Sequence, residues 1–409
     1  MIGLDSLQIG KYLSVLRKYY KITQDELASR LNVTRQAISK WETGVTIPDI
    51  ELLMRLSEIY GVSINDILKA DTASIKYQKE IVFPSDAKAT KKIMVIGCGR
   101  WGTFIAWYLE KIGHKVSLYG RKTSAKMQEL LETRKNEYLQ ISDNIRLVTS
   151  LDDIKEADYI IISIATQNLQ EVVSELAHYS IENKIVILCM KGIEIATGRR
   201  LSQIVSDSLE HNNDVAVWLG PGHVQEFYRG IPNCMVIDSN KELVKDELIR
   251  NFSSDLIRFY YGTDLIGNEV GAAAKNVIGI AAGMLEGLDL ASLKGALMSR
   301  GTYEIAKLIV AMGGKASTVY GLCHLGDYEA TLFSEHSQNL TFGKSVVLQT
   351  DYDKLAEGYY TVKALRNLGK SYGIDLPICE AVYQILYEAA KPQEVLKKLF
   401  SRSLRNEFI

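Results

Sequence analysis

Apolar positions change their rhythm twice along this chain. Between residues 6 and 68 they recur at three- and four-residue spacing in short bursts, with Leu7, Ile9, Leu13, Leu16, Leu27 and Ile38 among the predicted core positions. Such spacing predicts short helices in quick succession, and so a compact all-helical unit over residues 1–70. Residues 71–91 then turn polar and irregular, which predicts a linker, with a short strand at 81 to 83. Past it the rhythm becomes strand-like. Apolar runs recur at 93–97, 115–119, 145–149, 159–164, 185–190, 215–219, 233–237 and 257–261, mostly separated by helical stretches. That alternation predicts a doubly wound α/β domain over residues 92–266. From Gly267 the spacing is helical again, giving a third, all-α domain over residues 267–409.

The first run of the α/β region carries the most specific chemistry. Ile93 to Ile96 leads straight into Gly97-Cys98-Gly99-Arg100-Trp101-Gly102, followed by a helical pattern to Ile112 and a closing Gly113. In a Gly-x-Gly-x-x-Gly turn between strand and helix, the first glycine makes the tight turn and the second admits a pyrophosphate to the backbone. The third lets helix and strand pack closely. The unpaired N–H groups of the helix start then hold the anion. This predicts a Rossmann-type domain binding NAD or NADP. At the end of the second run an NAD-selective site would place an acid against the ribose hydroxyls, but Gly120-Arg121 stands there. An arginine can pair with a 2'-phosphate, which leaves NADP allowed.

Lys191-Gly192 and Gly220-Pro221-Gly222-His223 follow later strands, where strand ends meet a ligand crevice. In the block Gly267-Asn268-Glu269-Val270-Gly271-Ala272-Ala273-Ala274-Lys275-Asn276, a single lysine sits among small apolar residues. Desolvation lowers the pKa of such a lysine toward neutrality and suits it to give a proton to a developing alkoxide.

Composition narrows the partners. The 409 residues carry a formal net charge of -1 with 24% charged residues, so no global basic excess demands nucleic acid. The five cysteines are scattered singly, which indicates neither a disulfide framework nor a zinc site and suits a reducing cytoplasm. The start lacks a secretory pattern, and no apolar stretch reaches the length of a membrane span.

Any DNA contact must therefore be local, and the N-terminal unit offers one. Thr23 caps a helix with Glu26 three residues on, Leu31-Asn32-Val33 turns, and Thr34 caps Arg35 to Glu42, whose Arg35, Gln36, Ser39 and Lys40 face outward. Glutamine can bond adenine bidentately, and Arg and Lys reach guanine or the backbone. With Trp41-Glu42-x-Gly44 and Pro48, residues 6–68 resemble the lambda-repressor-like helix-turn-helix family. The resemblance implies sequence-specific binding of double-stranded DNA by a homodimer, with Gln24 near phosphate and Gln36 and Ser39 on the major groove. The competing reading is a helical bundle for protein contacts, and a net charge of only +1 over residues 1–70 implies modest non-specific affinity.

Over roughly residues 92 to 392 the chain resembles bacterial-type NAD(P)-dependent glycerol-3-phosphate dehydrogenase. The resemblance rests on the Trp-containing glycine loop, Lys191-Gly192, Gly220-Pro221, Lys275-Asn276, Arg300-Gly301, Leu325-Gly326-Asp327, Asn339 with Phe342-Gly343, Glu357-Gly358 and Pro377-Ile378-Cys379-Glu380-Ala381. It implies that Lys275 is the acid/base at the substrate C2 oxygen, Asp327 its orienting carboxylate and Lys191 a second cation. It further implies that Gly97, Gly99, Arg100, Trp101, Gly102, Arg121, Lys191, Glu357 and Lys363 hold the cofactor. Gly220, Asn276, Arg300, Thr331, Gln338 and Asn339 would line the substrate with Lys191. The reaction implied is reversible reduction of dihydroxyacetone phosphate to sn-glycerol 3-phosphate, feeding phospholipid synthesis.

One departure matters. Where the family has Ser-Arg-Asn-Arg, this chain has Ser337-Gln338-Asn339-Leu340, so two arginines near the substrate phosphate are missing. Either another cation takes over, with Arg300, Lys191 and His336 as candidates, or the substrate has changed. The alternative function is a transcription regulator whose dehydrogenase-like part senses NAD(H) or a phosphorylated metabolite with weak or no catalysis.

Overall fold

The computed structural model describes residues 5–20, 22–60, 62, 64–70, 89–209 and 212–400; most of the expected linker, including its strand at 81 to 83, lies outside them. The chain divides into two compact units, one built on the N-terminal helices and one holding the sheet and the later helices.

In the N-terminal unit, helices run over Ser6–Tyr19, Gln24–Leu31, Arg35–Glu42, Ile50–Tyr60 and Ile64–Lys69. The Thr23 hydroxyl accepts from the Glu26 amide while the Glu26 carboxylate accepts from the Thr23 amide, a reciprocal cap. Asn32 takes the left-handed conformation (φ 55°) that ends the second helix and aims the third. Ile9, Leu13, Leu16, Leu27, Leu31, Ile38 and Ile67 are buried as expected, joined by Tyr12, Trp41 and Tyr60. Leu7 is a correction, being 50% exposed. It lies in the first turn after the Asp5 cap, on the side away from the helix face that Ile9, Leu13 and Leu16 bury.

Among the described residues of the second unit, eight strands form one sheet in the order β3-β2-β1-β4-β5-β6-β7-β8. They are β1 Lys92–Ile96, β2 Lys115–Tyr119, β3 Arg146–Val148, β4 Tyr159–Ile162, β5 Ile185–Leu188, β6 Asp214–Leu219, β7 Asn233–Ser239 and β8 Ile257–Tyr261. Every apolar run read from the sequence became a strand. Pairing is parallel except between β6 and β7, which run antiparallel. The connection there holds only the five-residue helix Val224–Tyr228. Such a helix covers about 7 Å, too little to return the chain along a strand of about 20 Å for a parallel crossover.

The helical region is organised by the 23-residue helix Leu265–Gly287, of which all but the first turn's Ile266 and the last two residues are buried. Asp264 caps it by accepting from the Gly267 amide, which starts the helix two residues before the expected Gly267. The helix Gln338–Leu348 lies against it backbone to backbone. A Cβ at Gly283 would run into the Leu340 carbonyl oxygen, and one at Gly343 into that of Ile280. Sheet and helices are clamped by Glu269, buried on the long helix, which accepts from the amide and hydroxyl of Ser202 and from Arg200. Among the described residues no helix is long and apolar enough to cross a membrane.

Candidate functional site

The glycine loop follows β1 at the point where the strand order reverses, between β1 and β4. Each glycine has a separate geometric reason. Gly97 has φ 115°, and a Cβ there would strike the Ser163 carbonyl oxygen after β4. At Gly102 a Cβ would strike the Gly97 carbonyl oxygen. At Gly99 it would meet nothing within 4 Å, so this position faces open space at the N-cap of the helix Arg100–Lys111. An open cradle at a helix N-terminus, free of side chain, fits a dinucleotide pyrophosphate. Gly120, at the end of β2, lets that strand end approach Cys98, and the exposed Arg121 follows it. Trp101 packs on Phe104 and Phe227, with ring centroids 5.0 and 6.2 Å away.

Beyond the loop, three charged groups from distant parts of the sequence meet. Lys191, after β5, places its Nζ 2.6 Å from Asp327 Oδ2 and donates to the Gly220 carbonyl at 2.6 Å. Lys275 Nζ lies 3.1 Å from the same carboxylate oxygen and donates to Thr331 Oγ1 at 2.7 Å. Thr331 in turn donates to the Asp327 carbonyl at 2.6 Å, inside a π-helical turn over Glu329–Phe333. Thr331 thus sets the direction of the ammonium rather than merely lining the pocket. Lys275 is 8% exposed, and burial pushes its pKa down to about 8; Asp327 opposes the shift, while Lys191 and Arg100 add to it.

Asparagines brace this cluster. Asn276 Nδ2 donates to the Lys191 carbonyl, Asn339 Nδ2 donates to Asn276 Oδ1, and the Gly358 amide donates to Asn339 Oδ1. Next to Gly358, Glu357 accepts from the Thr166 amide at 3.1 Å, which brings the start of the helix Glu357–Tyr372 to the loop that follows β4. Lys363 is different: it is exposed, with its ammonium 5.8 Å from the Tyr387 ring centroid. Arg300 is likewise exposed and lies over Tyr303, whereas its neighbour Gly301 packs against Ile278 of the long helix.

Gln338 Oε1 accepts from the Tyr352 hydroxyl at 2.9 Å, and Leu340 is buried in the helical core. Two histidines complete the surroundings: His223, 7% exposed, has its ring centroid 5.4 Å from that of the exposed His336. Burial pushes the His223 pKa down to about 4, so its imidazole is neutral, and Nε2 is buried without a hydrogen-bond partner. The role of Tyr352 left no signal in the sequence, since it depends on a contact made only in the fold, whereas His223 stood out as part of the Gly220–His223 turn and only its burial was set by the fold.

In the N-terminal unit, Arg35, Gln36 and Lys40 are exposed and Ser39 half-exposed on one side of the helix Arg35–Glu42, with Ile38 and Trp41 buried on the other. The Thr34 hydroxyl accepts from the Ala37 amide and so caps that helix. Gln24 donates its side-chain amide to Glu42, which also takes a two-pronged contact from Arg17.

Three family models match parts of the chain. Residues 92–244 match the N-terminal and residues 264–397 the C-terminal model of NAD-dependent glycerol-3-phosphate dehydrogenase, and residues 15–67 match a helix-turn-helix model. A protein from Clostridium botulinum named glycerol-3-phosphate dehydrogenase [NAD(P)+] is 33% identical over 328 residues, covering 77% of this chain and 99% of its own. One of the same name from a Thermotoga species is 34% identical over 329 residues, covering 78% and 99%. The crystal structure of glycerol-3-phosphate dehydrogenase from Coxiella burnetii superposes with a TM-score of 0.72 at 26% identity, covering 76% of this chain and 99% of that one.

Proposed function

Because the chain belongs to the family of NAD(P)-dependent glycerol-3-phosphate dehydrogenases, we propose that it catalyses the reversible reduction of dihydroxyacetone phosphate to sn-glycerol 3-phosphate in the cytoplasm. The observation that carries this reading is the meeting of Lys275, Asp327 and Lys191 on one carboxylate oxygen. A protein that only sensed a nucleotide would need the glycine loop but not a buried, pKa-shifted proton donor. Gly97, Gly99 and Gly102 shape the cradle for the cofactor, flanked by Arg100, Trp101, Arg121 and Glu357. When bound, the nicotinamide supplies a hydride to the substrate carbonyl carbon or accepts one in reverse. Lys275 gives its proton to the carbonyl oxygen as the alkoxide forms and takes it back in the oxidation. Asp327 and Thr331 fix the direction of that ammonium, and Lys191 steadies the shared carboxylate while adding positive charge to the pocket. The decisive experiment is NADH and NADPH oxidation by the purified full-length protein with dihydroxyacetone phosphate. Turnover that saturates with that ketone is expected; tight NADH binding without turnover would favour the sensing regulator instead.

The N-terminal unit we assign to DNA, in a homodimer that presents the Arg35–Glu42 helix twice, to half-sites on the order of 34 Å apart. Support comes from the helix-turn-helix match and from the polar face of that helix. Replacing Gln36→Ala together with Ser39→Ala is expected to abolish sequence selection from a random DNA pool while leaving turnover unchanged. If the wild-type protein selects no sequence, with or without NADH, the unit is a protein-contact bundle.

A further inference from the structure

We propose that His324 is a positioning residue for the acid/base pair: its two ring nitrogens tie the long helix, one turn before Lys275, to the segment that carries Asp327 and Thr331, and so set how closely carboxylate and ammonium meet. This deepens the dehydrogenase reading above, on which it rests, by naming a neutral group that acts on the proton donor through the donor's own partners.

His324 is wholly buried, and both ring nitrogens are engaged. Nδ1 lies 2.8 Å from the Gly271 carbonyl oxygen, and Nε2 lies 2.8 Å from the Tyr328 hydroxyl. A carbonyl can only accept, so Nδ1 carries the proton; Nε2 is then the acceptor, and the phenol donates to it. Burial pushes the imidazole pKa down to about 4, against the Gly271 bond and the Asp327 charge and with help from Lys275, so the ring stays neutral near neutral pH. Burial also pushes the Tyr328 pKa up, which keeps its hydroxyl a donor.

Each end of this bridge holds one side of the ion pair. Gly271 lies one helical turn before Lys275 in the helix Leu265–Gly287, and a Cβ there would come within 3.1 Å of His324 Cβ. The absent side chain lets the imidazole reach the helix backbone. At the other end, Tyr328 directly follows Asp327 and directly precedes the π-helical turn Glu329–Phe333. Its carbonyl accepts from the amides of Thr331 and Leu332 at 3.1 and 2.7 Å, while the His324 carbonyl accepts from the Asp327 amide at 3.0 Å. Asp327 Oδ2 and Thr331 Oγ1, the two oxygens within 3.1 Å of the Lys275 ammonium, therefore both hang on the segment that the Tyr328 hydroxyl pins to His324. An apolar side chain at 324 could fill the space but not pin the segment, because packing is non-directional whereas hydrogen bonds fix distance and angle.

The consequence has a definite sign. Burial disfavours the Lys275 ammonium, Asp327 opposes that, and Lys191 and Arg100 add to it. Coulomb attraction weakens with separation, so a loosened Asp327 lowers the Lys275 pKa further. Ketone reduction, which needs the ammonium, then fails at a lower pH, and oxidation, which needs the amine, begins at a lower pH.

Two substitutions cut the bridge from opposite sides. Tyr328→Phe removes one hydroxyl and keeps the ring, whereas His324→Asn keeps a donor for the Gly271 carbonyl and removes the acceptor for the phenol. Full-length wild type, each variant and the double variant are compared in reduction of dihydroxyacetone phosphate, oxidation of glycerol 3-phosphate and NADH affinity. The titration midpoint of Lys275 is followed by NMR of 13C-labelled lysine, with Lys275→Arg identifying the resonance. Either single change is expected to lower that midpoint by roughly half a pH unit or more, with NADH affinity altered less than about twofold. Reduction should slow about twofold or more at pH 8 yet stay near wild type at about pH 6.5, and oxidation at pH 7 should quicken about twofold. Because both changes break one bond, the double variant should be no worse than the worse single one. An unchanged Lys275 midpoint in Tyr328→Phe overturns the inference, even if His324→Asn fails to fold. So does an equal loss of reduction at both pH values, the mark of a merely structural residue, or a double variant in which the two midpoint shifts add. If wild type does not turn over dihydroxyacetone phosphate, the dehydrogenase reading falls, and the Lys275 midpoint still decides whether His324 sets the surroundings of that ammonium.

Discussion

Changing Lys275→Ala is expected to lower kcat for dihydroxyacetone phosphate reduction on the order of 100-fold or more, while NADH binding is retained. In the proposed mechanism the proton donor is lost, while the glycine loop assigned to the cofactor is untouched. A merely structural lysine would lower stability instead, and thermal unfolding separates the two. The pH profile of the wild-type protein gives a second reading of the same group. Burial holds the pKa of Lys275 down at about 8, so the ammonium form needed for ketone reduction dominates below that pH and is lost above it. The kcat/KM for reduction should therefore fall as pH rises through about 8, while oxidation, which needs the neutral amine, should rise through the same range. The apparent value belongs to the coupled cluster with Asp327 and Lys191, and Asp327→Asn should shift it downward by removing the charge that favours the ammonium. Near wild-type turnover in Lys275→Ala would remove this residue from the chemistry.

Gly99→Val is expected to weaken NADH binding about 100-fold, equivalent to about 2.7 kcal/mol, without unfolding the protein. The separation of these two effects is what the geometry supplies. Gly99 has φ -75° and ψ -177°, an extended conformation open to any residue, and a Cβ there meets nothing within 4 Å. The added side chain would therefore project into the open cradle proposed for the pyrophosphate rather than into the protein. Gly102→Ala makes the contrast, since its Cβ is driven into the Gly97 carbonyl and should lower stability as well as binding. Calorimetry with NADH, run beside thermal unfolding of both variants, checks this. Equal NADH affinity in wild type and Gly99→Val would rule out the loop as the cofactor site.

What the sequence determined alone was whatever depends on neighbours in the chain. The positive φ at Gly97, the reciprocal cap of Thr23 and Glu26, the turn at Asn32 and the eight apolar runs that became strands are all set within a few residues. The isolation of Lys275 among alanines and glycines was legible for the same reason. Capping still shifted one boundary, because Asp264 satisfied the Gly267 amide from outside the expected helix. The reversal of β7 and the exposure of Leu7 were decided by the length of a connection and by which helix face found a partner.

Only the tertiary structure could bring Lys191 to Asp327 across 136 positions, or set Thr331 against Lys275 across 56. It also separated candidates that the linear order had grouped together. Glu357 reaches the loop after β4, but Lys363 in the same helix is turned onto Tyr387; Asn339 is spent on Asn276 and Gly358, and Gln338 is held by Tyr352. The physical reason is that a side chain's charge and hydrogen bonds act over a few ångströms of space, whereas sequence fixes only distance along the backbone. A missing cation at position 338 is a local fact of the sequence, and the hold of the Tyr352 hydroxyl on Gln338 is a fact of the fold.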